Sequence, residues 1–215
     1  MRGSDEAAAA QGDTRSRRSR GSITPAEILE AAFALADRVG LDALSMPELA
    51  RELDLPVTSL YWHFRRRDDL LSAMVEEAIS ARAQLLPAVG TSPSWHAYLR
   101  DYFTAMRKLY REHDTFADLL VVRLDLATAE SQRRATQASE RIVGYLMGSG
   151  FDEDTAARIV RTMEMYTNGA ILAERNRDRR LGEIDTEAER DFEFGLDTLV
   201  SGFERIERPG AQPHR

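Results

Sequence analysis

Ser45 and Glu48 stand three residues apart at the head of an apolar run. At that spacing the serine hydroxyl can accept the Glu48 amide while the Glu48 carboxylate reaches back to the Ser45 amide, so a helix starts here. Leu44 and Leu49 add a hydrophobic staple, and Leu49, Ala50 and Leu53 point to one side. The chain then turns at Asp54, a position that needs positive φ, which glycine usually fills and aspartate tolerates. A second short helix follows, with Leu55, Leu60 and Phe64 closing a small core. Two short helices joined by a tight turn over residues 45–71 have the form of a helix-turn-helix, which lays its second helix in the major groove of DNA.

The helix upstream repeats the same device. Thr24 and Glu27 form its box, Ile23 and Ile28 its staple, and Pro25 occupies the first helical position, where a missing amide hydrogen is harmless. Ile28, Ala32, Leu35, Ala36 and Val39 recur at three- and four-residue spacing, and Gly40 supplies a left-handed stop.

Val57, Thr58, Ser59, Tyr61, Trp62 and His63 are left to the outer face and flanks of the third helix. An exposed Tyr-Trp-His run is costly unless something covers it. Nucleic acid supplies such a cover, since hydroxyls and the indole N–H bond phosphate oxygens and apolar atoms touch thymine methyls. The alternative is that Tyr61 and Trp62 only pack against the first helix or the segment before it.

A net charge of −7 looks wrong for a DNA binder until it is divided. From Arg15 to Arg67 there are nine Arg against seven acids, whereas from Asp68 to Arg215 there are 19 basic residues against 26 acids. The basic excess lies where DNA would lie. Residues 1–22 are rich in Ala, Gly, Ser and Arg, without hydrophobic pattern, and are expected to be a disordered arm. Arg18 and Arg20 immediately before the first helix suit a narrow minor groove, or else belong to a solvated tail that adds nonspecific attraction. The helix-turn-helix domain is expected over 23–68, a larger helical domain over 69–206 and a disordered tail over 207–215.

There is no cysteine, which excludes disulfides and thiolate chemistry, and no apolar run of membrane length. With no signal peptide, the cytoplasm is the expected location and no membrane partner is expected.

From Asp68 onward every strong signal is helical, so the fold class is all-α. A fourth helix, about 68–86, would connect the head to the rest. Trp95, Tyr98, Leu99, Tyr102, Phe103, Met106, Leu109 and Tyr110 form one broad face of a fifth. That stripe is either solid core or, with its aromatic bodies and polar tips, the wall of a cavity for a small apolar or aromatic molecule. Helices over about 126–146 and 152–175 follow, then a charged, loop-like stretch over 176–186 and a last helix over about 186–206. Gly195 and Gly202, seven apart, share a face and each costs about 1 kcal/mol relative to Ala. Either a symmetry mate approaches there, in a four-helix interface, or the close packing lies within one subunit.

Leu60-Tyr61-Trp62-His63-Phe64, with Arg67 and Leu70-Leu71, resembles the TetR family of bacterial repressors, and the Leu-Tyr-Trp-His run looks like the tetracycline repressors. Gly150-Phe151, Tyr166-Thr167 with Gly169 and Leu172, and Phe192-Glu193-Phe194-Gly195-Leu196 extend the likeness to residue 206. The resemblance implies that Tyr61, His63 and Arg67 bind phosphates and that Val57, Thr58 and Ser59 read bases. Met46 and Pro47 join the DNA-facing set, Pro47 standing where the tetracycline repressors carry a base-reading Arg, so the operator should differ. It further implies an effector site at Tyr102, Met106, Tyr110 and His113, with Phe116, Met147, Met163 and Tyr166 completing the candidate lining. The implied homodimer face comprises Met163, Thr167 and Ala170 with Gly195, Leu199, Gly202 and Phe203. Ala173 stands where those repressors place a Glu that helps hold magnesium-bound tetracycline, and a methyl group removes a hard oxygen ligand. Tetracycline is therefore not the expected effector, and no cofactor or metal is expected.

These readings lead to a homodimeric repressor of a palindromic operator, released by a small molecule. The same heads would also serve an activator or a ligand-independent regulator. An all-helical enzyme using His113 and nearby acids is the rival class. Against it stand the lack of a His pair at metal-binding helical spacing, of a glycine-rich phosphate loop and of a nucleophile with a base nearby in sequence.

Overall fold

The computed structural model describes residues 23–181 and 187–206, and among these residues every regular element is helical. Helix α1 (Pro25–Val39) opens on the expected box: the Glu27 amide donates to Thr24 Oγ1 at 3.2 Å and the Thr24 amide to Glu27 Oε2 at 2.9 Å. Ile28, Ala32, Leu35 and Ala36 are its buried face, and it stops at Gly40, where φ is +86°. Helix α2 (Met46–Glu52) is capped by Ser45 Oγ, which accepts the Glu48 amide at 3.3 Å. Asp54 takes φ of +53°, and the Leu55 amide closes the turn on the Ala50 carbonyl at 2.9 Å. Helix α3 (Val57–Tyr61) is only five residues long and has no side-chain cap, because Pro56 sits at the capping position. Leu60 and Phe64 close the head core.

Helix α4 (Arg67–Leu85) leaves the head with Leu70, Leu71, Met74, Val75, Ala78 and Ile79 buried. Its first turn is anchored by Arg67, whose Nε donates to the Leu44 carbonyl and whose Nη2 donates to the Leu41 carbonyl, each at 2.7 Å. The connection between α1 and α2 is thereby tied to the helix that leads out of the head.

Helix α5 (Trp95–Glu112), capped by Ser94 Oγ, runs through the centre of the larger part and buries Tyr98, Leu99, Phe103, Met106 and Tyr110. After it the chain makes a short α6 (Asp114–Ala117), a π-helical turn at Asp118–Val122 and a 3₁₀ turn at Leu124–Leu126. This compact segment leans on the head: the Thr115 amide donates to Asp37 Oδ1 at 3.2 Å, and the rings of Phe33 and Phe116 lie 5.4 Å apart. Helices α7 (Ala129–Gly148) and α8 (Glu153–Leu181) form an antiparallel pair, and α9 (Ala188–Glu204) packs against α5 and α8.

Helix α8 continues six residues past Arg175, so 176–181 is helical where a loop was expected. The Asn, Arg and Asp residues there cost little in a helix. Asp178 is also held by Arg111 Nη1 at 2.9 Å.

Candidate functional site

The head presents its third helix outward. Trp62 is 88% exposed and Tyr61 44%, with Thr58, His63, Arg65 and Arg66 also exposed and Ser59 half-exposed. The indole therefore does not pack on α1, and an aromatic of that size in water marks a surface that something covers. Pro47 of α2 is exposed as well.

Three of the expected contact residues are placed otherwise. Met46 is only 4% exposed; it shares the i, i+3, i+4 face of Leu49 and Ala50 and faces the head core. Val57 is half-buried against that core. Arg67 is bonded to two backbone carbonyls, so its first task is to hold the head together. Arg18 and Arg20 lie outside the described residues.

In the larger part, Tyr102, Met106 and Tyr110 line up on α5, with Met163 fully buried on α8. Arg82 of α4 joins them: its Nη1 donates to the Tyr110 hydroxyl at 3.4 Å. Burial disfavours the Arg82 charge, but the neighbouring Tyr110, Tyr102 and Glu164 outweigh it, and the guanidinium is raised above its ordinary pKa. Burial likewise raises Tyr102, against the opposing pull of Arg82. Beside this packed group Ser139 Oγ on α7 donates to Glu164 Oε1 on α8 at 2.6 Å. The rings of Tyr98 and Tyr102 lie 5.8 Å apart and those of Tyr98 and Tyr145 5.2 Å, which makes the surroundings aromatic. Arg82, Ser139 and Glu164 were missed from sequence, because each is an ordinary surface type until the packing turns it inward.

Four other expected lining residues do not join this group. His113 is exposed at the end of α5, its ring 5.2 Å from Phe116, and Phe116 packs on α1 at the junction with the head. Met147 is exposed on α7, because Leu146 takes the inward direction. Tyr166 turns toward α9: its hydroxyl donates to the Phe192 carbonyl at 2.9 Å, and its ring stacks on Phe192 at 5.4 Å.

Among the candidate dimer residues, Met163 and Thr167 are completely buried within the chain and face the interior, not a partner. Gly195 makes room for Tyr166 of its own chain. Ala170, Leu199 and Phe203 are half-buried, and Gly202 opens onto free space. The solvent side of α8 and α9 instead carries Met165, 75% exposed, and Phe194, 77% exposed, near Gly169, Ala173 and Gly202. Both large side chains fall on the period left outside the core, a signal present in the sequence.

The residues do not fit a magnesium site of the tetracycline type. Ala173 offers no ligand, and the adjacent Glu174 is buried and bonded to Arg107 Nε at 3.0 Å and Arg111 Nη1 at 3.1 Å. Among the described residues no group of three His, Asp or Glu side chains could hold a metal ion, and no helix is long and apolar enough to cross a membrane.

Residues 28–74 match the family described as bacterial regulatory proteins, tetR family. An HTH-type transcriptional repressor of Mycobacterium tuberculosis strain H37Rv is 35% identical over 161 residues, which are 75% of this chain and 61% of that protein. The chain thus spans about three fifths of that relative's length. The Escherichia coli tetracycline repressor protein class E is 29% identical over 194 residues, 82% of this chain and 89% of that one. Among solved structures, a TetR variant from Acinetobacter baumannii AYE in complex with minocycline superimposes with a TM-score of 0.66 at 25% identity, covering 86% of this chain and 98% of that one.

Proposed function

Since the chain belongs to the TetR family of transcriptional regulators, we propose that it is a homodimeric repressor, acting in the cytoplasm, that binds a two-fold symmetric operator and is released by a small molecule held in its larger helical domain. The single observation that carries the reading is the outward third helix: Trp62 and Tyr61 stand exposed on a head whose core is otherwise closed. Thr58, Ser59 and Pro47 are then the side chains that meet base edges, while Tyr61, Trp62, His63 and the exposed Arg65 lie along phosphates. Two heads held by one rigid dimer would present their third helices about 34–36 Å apart, one turn of B-DNA.

Release follows from linkage. A small molecule that fits the domain better when the heads are at another spacing lowers operator affinity by its own difference in affinity for the two states. Arg67 makes α4 the connecting element, and the Asp37 and Phe33 contacts to α6 supply a second connection. The relative named as a repressor and the neighbour crystallised with minocycline support both halves of the reading. The identity of the molecule is a separate matter, because Ala173 takes the place of one magnesium ligand of the tetracycline site.

Selection of the full chain on random duplex DNA tests the proposal. A two-fold symmetric consensus is expected, with affinity that falls steeply with salt. Recovery of no duplex, or of an asymmetric single half-site, would overturn it.

A further inference from the structure

Residues 56–63, which make up α3 and its flanks, read Pro-Val-Thr-Ser-Leu-Tyr-Trp-His. Leu60 is buried, Val57 and Ser59 are half-buried, and Thr58, Tyr61, Trp62 and His63 stand exposed. The segment holds no Arg, Lys, Asn, Gln, Asp or Glu. In the major groove guanine is singled out by the two donors of Arg or by Lys, adenine by the paired donor and acceptor of Asn or Gln, and cytosine by a carboxylate. Here every polar group is single: three hydroxyls, an indole N–H and an imidazole. Hydroxyls bond more than one kind of base edge, so they orient the helix without choosing firmly among pairs. The nearby arginines lie off α3. Arg66 Nη2 donates to Asp69 Oδ1 at 3.1 Å, Arg65 follows the buried Phe64, and Arg51 belongs to the last turn of α2.

What this surface does offer is carbon: the Thr58 Cγ2 methyl, part of Val57, and the exposed ring of Pro47 on α2. Thymine is the one standard base that presents a methyl group in the major groove. We propose that the head recognises its half-site through thymine 5-methyl groups, with Thr58 Cγ2 as a specificity-determining contact, and that α3 reads no guanine through N7. This rests on the operator-binding reading and names the base chemistry of that same site. Burying one methyl group is worth about fourfold in affinity, less than a good bidentate pair. More of the binding must then come from phosphates, along which Tyr61, Trp62, His63 and Arg65 already lie. The expected operator is rich in A·T pairs where α3 enters, with modest discrimination at each of them.

The symmetric consensus selected from random duplexes is the starting operator for the test. Deoxyuridine in place of a thymine removes only the methyl group, and 7-deazaguanine in place of a guanine removes only the N7 acceptor. In anisotropy titrations of the full chain, deoxyuridine at one or more symmetric positions is expected to weaken binding about fourfold per half-site, about fifteenfold for both. 7-Deazaguanine should change affinity by less than about twofold, since no guanine fork is present. Thr58→Ser keeps the hydroxyl and loses the methyl, so at one position it should bind thymine and deoxyuridine duplexes equally. Thr58→Val keeps a methyl and loses the hydroxyl, and should retain the preference for thymine. Unchanged melting temperatures verify that both variants are folded, as expected at an exposed position. Equal binding of every deoxyuridine duplex by the unaltered chain, a loss of about tenfold or more with 7-deazaguanine, or thymine preference at every position surviving in Thr58→Ser would overturn the assignment. Recovery of no symmetric duplex defeats the operator reading itself, whereas a symmetric consensus read through guanine N7 defeats only the methyl contact.

Discussion

Tyr166 occupies the space that a side chain at position 195 would need. A β-carbon on Gly195 would lie 2.6 Å from Tyr166 Cζ and 2.9 Å from Cε2, with the hydroxyl closer still. The ring cannot swing aside freely, since it stacks on Phe192 and its hydroxyl is bonded to the Phe192 carbonyl. Gly195→Ala is therefore expected to lower stability by about 1–3 kcal/mol, the usual cost of overpacking. Gly144, with nothing near its missing side chain, is the control: Gly144→Ala should raise stability by up to about 1 kcal/mol through helix propensity. Denaturant unfolding of both variants checks this, and pairing Gly195→Ala with Tyr166→Ala should be markedly non-additive.

Arg67 and Arg65 stand two residues apart and should behave differently. Arg67 is committed to the Leu41 and Leu44 carbonyls, so Arg67→Ala is expected to destabilise the protein by about 1.5–3 kcal/mol, with operator affinity falling at unchanged salt slope. Exposed Arg65 is free to meet a phosphate, and Arg65→Ala should leave the melting temperature alone while reducing the slope of log K against log salt by about 0.9. Fluorescence anisotropy across a salt series, beside thermal melts, distinguishes the two.

The head was legible in the sequence because its signals are local. The caps and the Asp54 turn involve residues at most five apart: the Thr24 box and the Asp54 turn form as expected, while at Ser45 only the hydroxyl half of the box forms. Met46 was wrongly placed among the DNA-facing residues, although its spacing from Leu49 and Ala50 puts all three on one buried helical face. The interior of the larger part was not legible. Arg107 and Glu174 are 67 residues apart, Arg82 and Tyr110 are 28 apart, and nothing in either neighbourhood announces the partner. The turns over 114–126 were hidden for another reason: four residues of α-helix followed by a π turn are too short to establish a period. Gly195 carried a correct signal of close approach, but the approaching group belongs to the same chain.

Glu174 is the hinge of a buried network, since it accepts from both Arg107 and Arg111, and Arg107 also lies 5.1 Å over the Phe192 ring. Removing the carboxylate leaves the enclosed Arg107 without its partner, whereas Arg111 keeps Asp178. Glu174→Ala is expected to cost about 3–5 kcal/mol in unfolding free energy. Replacing the pair together, with Arg107→Met and Glu174→Leu, should lie closer to the original stability than the single change, because Arg111 keeps Asp178 and no enclosed charge is stranded. Equal losses in both would show that the pairing itself is worth little.

Asp152 caps α8: its carboxylate accepts the Thr155 amide at 2.9 Å and the Thr155 hydroxyl at 2.7 Å. These bonds, the amide first, hold its pKa below the ordinary carboxylate value. A carboxyl depressed on folding stabilises the protein above its unfolded pKa, and that gain disappears as pH falls through the folded value. The difference in melting temperature between the original chain and Asp152→Ala should thus be full at neutral pH and shrink below the ordinary aspartate range. A difference constant down to pH 2 would assign the effect to something other than the ionised cap.

Among the described residues Met165 and Phe194 are the largest apolar side chains left in water on α8 and α9, and Gly169 and Gly202 on the same two helices open onto free space. Large exposed apolar groups next to bare backbone fit an isologous contact in which a second copy brings the same two helices close. Phe194→Asp places a charge where that contact would exclude water, and Gly202→Leu fills the space through which a backbone would approach. Both are expected to convert a dimer into a particle of half the mass in sedimentation, with helix content and melting cooperativity kept because neither side chain is part of the chain's own core. Operator affinity should fall with the loss of paired heads, most steeply at nanomolar protein. A normal dimer in both variants would move the interface to another face of the molecule.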